Sequence, residues 1–219
     1  MRRKIMILYH GSFEVVDKPQ FGYGKINNDY GQGFYCTENI ELAREWACLD
    51  VNGGIVNKYE LDVDGLEMLD LRDVGILPWI AILMSNRIVR YSSPVEKRAA
   101  EYIISNYLPE TEGFDAIIGY RADDSYFSYT RAFLSNTITV EQLEMAVRLG
   151  NLGTQICVKS QKGFEHITFI EANTVNGEVY WPRRIQRDNK AKDDYYRLLE
   201  ENVDAGTYVR DIIERGKKA

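Results

Sequence analysis

The chain has few of the residues that lock small extracellular folds together. Its three cysteines, Cys36, Cys48 and Cys157, stand far apart in 219 residues. They form no CxxC pair, and their odd number implies no disulfide framework. A reducing compartment, the cytoplasm, is the expected setting. Basic charge is also short: the formal net charge is −6. A protein built mainly to grip nucleic acid has the opposite balance, so any such contact would rest on a local patch. No apolar run approaches the length of a membrane span. The start, MRRKIMILYHGS, has a basic head, but its apolar run is too short for a secretory leader and stops at Tyr9-His10. It reads as a buried strand. Histidine is scarce as well, with only His10 and His166.

Hydrophobic residues make up 45% of the chain, enough for one sizeable core. Tyrosine is abundant, with 15 copies. Each brings a flat apolar face and a polar tip, which suits ring-binding pockets as well as cores. Residues 4–9 read as a central strand. Residues 11–33, with FGYG and NNDYGQG, read as a long loop, and long loops inside compact domains tend to be functional. FYCT at 34–37 returns to strand character. Glu38 to Asp50 reads as a helix with Asn39 as N-cap and Leu42, Trp46 and Leu49 on one face.

Strands are expected at 55–63 and 66–71. Helices follow at 78–90 and 94–108, each opened by a proline. In the second, Val95, Ala99, Ile103 and Tyr107 form the apolar face. FDAIIGY reads as a strand, and 125–135 and 139–149 as helices. Thr139 and Gln142 are spaced as a capping box, and Gly150 ends that helix. TQICVKS, a Gly163 turn and HITFI follow. Past Asn176 the composition shifts to RRIQRDNKAK and an amphipathic stretch from Asp193 to Arg215. Strands and helices mix without regular βαβ periodicity, which predicts an α+β fold. The division is a domain over 1–175 and a helical C-terminal extension over 176–219 that does not stand alone.

Three short motifs carry chemistry. Tyr9-His10-Gly11-Ser12 places a histidine at a strand end, with a glycine that lets a ligand approach the backbone and a serine hydroxyl beside it. Gly31-Gln32-Gly33-Phe34-Tyr35 opens the backbone at two glycines and then supplies aromatic faces. Gly153-Thr154-Gln155 sets a glutamine at a strand mouth. Taken singly, each has an ordinary reading: a structural histidine, a turn before a core strand, a solvated glutamine.

Taken together, LYHGS, GQGFYCT about 20 residues later, an A-x-x-WA helix and a late Q-x-x-x-KS strand resemble the ADP-ribosyltransferase superfamily. The GYRADD segment at 119–124 strengthens the likeness to a bacterial branch of that superfamily, long of unknown function. The resemblance implies a split antiparallel sheet around an NAD cleft. It implies His10, Tyr35 and Gln155 as the catalytic set. His10 would bond a ribose hydroxyl, Tyr35 would stack on nicotinamide, and Gln155 would stand where the best-known members carry Glu. Gly11, Ser12, Gly33 and Trp46 are the implied NAD-binding residues, and Trp46 fits a core position equally well. NAD would be the co-substrate, and no metal is expected. A neutral Gln155 makes a hydrogen bond but is no general base, which counts against polymer elongation.

Asp123 or Asp124 would supply a missing carboxylate or, more simply, cap the next helix. The cluster Arg183, Arg184, Arg187, Lys190 and Lys192 would grip a phosphate backbone or an acidic partner, or run as a solvated linker. The implied activity is mono-ADP-ribosylation of a protein or nucleic-acid acceptor with release of nicotinamide. The setting would be a bacterial toxin–antitoxin or defence system, with a small antitoxin protein as partner. The rival expectations are an inactive NAD- or ADP-ribose-binding module and a purely structural domain.

Overall fold

A computed structural model describes residues 3–122, 124–149, 153–201 and 206–216. The fold is α+β, with two sheets and a helical layer. β1 (Ile5–Ser12), β3 (Gly54–Asp62) and β7 (Ile167–Val175) form one sheet, antiparallel throughout, with β3 in the middle. β2 (Phe34–Cys36), β6 (Thr154–Val158), β5 (Ala116–Tyr120) and β4 (Met68–Asp70) form the other. In this second sheet β4 runs parallel to β5, so the expected all-antiparallel arrangement holds for the first sheet only. A parallel pair needs a long connection, and the chain between β4 and β5 supplies one through two helices.

A single backbone bridge among the described residues joins the two sheets. Tyr9 and Thr37 exchange backbone hydrogen bonds, N–H to O=C, at 2.8 and 2.9 Å. Beyond that bridge the sheets part. β1 is therefore an outer strand of its sheet, not the central strand that its apolar run suggests. Its buried Leu8 packs with Tyr59, Leu61 and Ile156 between the sheets.

α1 (Ile40–Ala47) is capped by Asn39, whose side chain accepts from the N–H groups of Glu41 and Leu42. It lies across β1 and β3. Leu49 falls outside the helix and is exposed. α2 (Ile76–Asn86) is apolar on every side, and such a helix belongs in an interior. Ile76 and Trp79 to Met84 are all buried. Around it pack α3 (Pro94–Tyr107) and α5 (Val140–Leu149), with α4 (Asp124–Leu134) between those two. In α3 the buried stripe is Glu96, Ala99, Ala100 and Ile103, while Val95 is exposed. Ser93 caps the helix, and Glu96 reaches back to the Ser92 N–H, which keeps this acid on the buried side. At α5, Thr139 and Gln142 make the reciprocal capping box that their spacing predicts.

The segment around Gly163 is a short helix, α6 (Gln161–Glu165), rather than a bare turn. The C-terminal extension forms α7 (Gly177–Glu201) and α8 (Val209–Gly216). α7 packs on α1, α4 and α5, and α8 on α3. Asp123 and Gly150 lie outside the described residues, as does the side chain of Asp124. No helix among the described residues is long and apolar enough to cross a membrane.

Candidate functional site

Where the sheets part, a cleft of about 940 Å³ opens. His10, Gly11, Ser12, Gly33, Tyr35, Trp46 and Gln155 all line it. They come from β1, β2, α1, β6 and the residue before β2, so chain topology brings distant motifs to one place.

His10 is still inside β1, paired with Asn57. Its Nδ1 lies 2.7 Å from the carbonyl oxygen of Tyr35. A carbonyl only accepts, so Nδ1 carries the proton and Nε2 is left as an acceptor. Burial pushes the imidazole below its ordinary pKa of 6.5, against the raising effect of the Tyr35 carbonyl. Its ring packs on Phe34 at 4.6 Å between centroids. The other histidine, His166, bonds the Asp62 carbonyl at the far end of β3 and lies outside the cleft lining.

Gly11 is required for a different reason than ligand access. It pairs with Val56 inside the strand, and a Cβ there would collide with the Ala43 carbonyl and the Ala47 nitrogen. The glycine lets α1 press against β1, and so brings Trp46 to the cleft. Gly33 likewise lets the chain close on Cys157 and Val158 of β6. Ser12 is held by Asn57, a fully buried amide that sequence reasoning missed. Asn57 donates through Nδ2 to Ser12 Oγ at 2.8 Å and accepts at Oδ1 from the Val16 N–H at 2.9 Å. It thereby fixes the start of the loop that roofs the cleft.

Tyr35 has a fully committed hydroxyl. It donates to the Gly31 carbonyl at 2.7 Å and accepts from the Tyr30 N–H at 2.9 Å. Burial, with Cys157 nearby, drives this phenol far above its usual range, so it exchanges no proton near neutrality. What Tyr35 has to offer is its ring. Gly31 holds φ at +80°, which this tight turn demands. Tyr30, beneath, is sealed: its hydroxyl donates to the Tyr120 carbonyl at 2.5 Å and accepts from Trp79 Nε1 at 3.0 Å.

Gln155 is buried, and its Nε2 donates to Asp29 Oδ2 at 2.7 Å and to the Tyr120 carbonyl at 3.3 Å. Asp29 is the main residue that sequence reasoning missed. Its Oδ1 meets Arg87 Nε at 2.9 Å, and its Oδ2 also accepts from the Ala122 N–H at 3.1 Å. Burial pushes this carboxyl above its ordinary range; Arg87, Gln155 and Ala122 pull it down without overcoming that. A carboxylate beside Gln155 thus comes from the loop before β2. Its only sequence signal is an acid inside the Gly/Asn-rich NNDYGQG run. Arg87 follows α2 with no motif to mark it.

Trp46 lines the cleft with the Arg121 guanidinium 4.8 Å over its ring. Its indole Nε1 is buried and has no hydrogen-bond partner among the described residues. Charged lining residues are five basic (Lys18, Lys25, Arg87, Arg121, Arg184) and three acidic (Glu14, Asp17, Asp29). The lining thus has a surplus of basic over acidic groups, which gives the cleft a positive bias in an acidic protein. Two other members of the basic cluster tie helices together. Arg187 makes a two-pronged contact with buried Glu45 at 2.7 and 2.8 Å, and Arg183 meets Glu41 at 3.2 Å. Arg183 and Arg187 thus fasten α7 to α1, while Lys190 pairs with Asp194 inside α7 and Arg184 reaches the cleft lining.

A family model described as "Protein of unknown function (DUF3990)" matches residues 6–169. The chain belongs to the DUF3990 family. Comparison with curated proteins and with solved structures finds no match. In this DUF3990 protein the matched span holds all seven expected site residues together with Asp29, Asn57, Arg87 and Arg121. Among its described residues no three His, Cys, Asp or Glu side chains gather as a metal site.

Proposed function

We propose that this DUF3990 protein binds NAD in the cleft and transfers its ADP-ribose part to a protein or nucleic-acid acceptor, releasing nicotinamide. One observation carries the reading: His10, Tyr35, Trp46 and Gln155, from four separate elements, line a single cleft. Its volume lies near the upper end of ordinary ligand pockets, roughly 300–1,000 Å³, as a dinucleotide needs. The basic lining suits a diphosphate.

Each residue then has a role that its surroundings allow. The Tyr35 ring, its hydroxyl tied back, stacks on nicotinamide. His10 stays neutral and accepts a ribose hydroxyl at Nε2. The Gly11 backbone holds the carboxamide, with Ser12 beside it. Cleavage of the nicotinamide–ribose bond develops positive charge on the sugar, as in glycoside cleavage. The work of the protein is to hold ring and sugar in one geometry and to set dipoles toward that charge. A small antitoxin protein that covers the cleft is the partner this reading implies.

The second reading, a binding module without transfer, is favoured by the neutral side chain of Gln155 and by the full commitment of Asp29 to its partners. Incubation with labelled NAD and cell lysate separates the two. Transfer predicts label on a macromolecule, and nuclease or protease digestion identifies its class. Measurable NAD binding with no label on any macromolecule supports the module. Absence of NAD binding in calorimetry overturns both. Tyr35→Ala is expected to weaken NAD binding by about 1 kcal/mol, the worth of an aromatic ring pair beyond burial; unchanged binding removes Tyr35 from the stacking role.

A further inference from the structure

Gln155 has one amide and therefore two ways to present it. The structure fixes the choice. The Asp29 carboxylate, 2.7 Å from Nε2, and the Tyr120 carbonyl, at 3.3 Å, are both acceptors. A flipped amide would set its oxygen against both. Asp29 is in turn held by Arg87 on one oxygen and by the Ala122 N–H on the other. Among the described residues no donor holds Gln155 Oε1, and that oxygen is not among the sealed, unpartnered atoms. Gln155 lines the cleft.

We infer that Asp29 is a positioning residue. It locks the Gln155 amide so that Oε1 faces the cleft as an acceptor for a donor hydroxyl on the ligand, and its charge is the reason position 155 carries glutamine and not glutamate. The inference rests on the NAD reading above, where the hydroxyl belongs to the ribose next to nicotinamide. Two carboxylates at the Asp29–Gln155 spacing could not both ionise, so a glutamate would have to share a proton with Asp29. An amide avoids this. It borrows the negative charge of Asp29 through its N–H groups and offers one oxygen, as a carboxylate would.

The substitution Asp29→Asn removes the lock. With the oxygen of the introduced amide kept on Arg87, its NH₂ group faces Gln155, and the Gln155 amide turns so that Nε2 reaches the cleft. The test compares binding of NAD with binding of NAD whose nicotinamide ribose lacks the 2′-hydroxyl, in calorimetry. The wild type is expected to prefer NAD by roughly tenfold, the worth of one hydrogen bond. Asp29→Asn is expected to lose that preference while the analogue binds as before. A merely structural role would weaken both ligands together. The double variant Asp29→Asn/Gln155→Glu moves the carboxylate to position 155 and is expected to restore the preference. It keeps the test decisive if the single variant folds poorly. Wild type that binds NAD without discriminating, or Asp29→Asn and the double variant both discriminating as wild type does, overturns the inference alone. Wild type that binds no NAD overturns the function proposal and this inference together.

Discussion

Two aspartates are buried at opposite ends of the β5–β6 pair, and they live under opposite rules. Asp115, just before β5, accepts from Ser160 Oγ at 2.6 Å, from the Glu67 N–H at 2.9 Å and from Lys162 at 3.2 Å. Burial pushes its carboxyl up, but these donors outweigh burial and hold it below the ordinary value. Lys162 is half exposed, so the charge sits just under the surface. Asp29, near the Gln155 end, also has donors on both oxygens, yet burial wins and its carboxyl is pushed up. The first charge is one the fold is stabilised by. The second is one the fold tolerates. Charges held against the preference of their surroundings are common at functional sites, which agrees with the proposed role of the Asp29 end.

That contrast can be broken by substitution. Asp115→Asn is expected to cost the most, about 2 kcal/mol, because it replaces an acceptor oxygen by a donor among donors. Urea denaturation measures it, and NAD binding should be unaffected. The advantage of wild type over this variant is present above the ordinary aspartate pKa of 3.8 and fades as pH falls through the lower folded value.

Gln155→Glu is expected next, at about 2 kcal/mol or slightly less at pH 7, from two carboxylates in contact. Here the pH trend reverses. A shared proton relieves the repulsion, so the deficit shrinks between pH 7 and 5. A deficit that does not change with pH would mean that the introduced carboxylate turns away from Asp29.

Asp29→Asn is expected to leave stability at neutral pH unchanged or raise it by less than about 1 kcal/mol, since its ionised form is disfavoured by burial. Its difference from wild type closes as pH falls through the raised folded pKa, the opposite slope to Asp115→Asn. A clear loss of stability would place Asp29 in the same class as Asp115.

The smallest effect is that of His10. Burial lowers its pKa from 6.5, so protonation opposes the fold. Stability is full above pH 6.5 and is lost progressively below it, and His10→Gln should flatten that part of the thermal-melting profile.

What was readable in the sequence was local. Asn39, Thr139 with Gln142, and the HGS, GQGFY and GTQ segments announce themselves because cap and strand-entry signals act within a few residues. What was hidden acts across distance. Asp29 meets Gln155 over 126 positions of chain, and no period or spacing encodes that pairing. Gly11 was read as open to a ligand because sequence does not say what lies against it; α1 does. Val95 fits a helical stripe as well as Glu96 does, and which of them is buried depends on α2 and α4, against which α3 packs. The basic cluster was read by charge alone, while its partners, Glu41 and Glu45, lie far upstream.

Those partners give the C-terminal helix a mechanical meaning. Glu45 is buried one residue before Trp46, and the guanidinium of Arg187 meets both of its oxygens. α7 lies beyond the segment that the family model matches, yet it works as a strut behind the cleft wall. Shortening the chain before α7 would leave the buried Glu45 carboxylate without Arg187, in the same helical turn as Trp46. The two would then loosen together, so the length of the protein and the shape of its cleft are a single design variable.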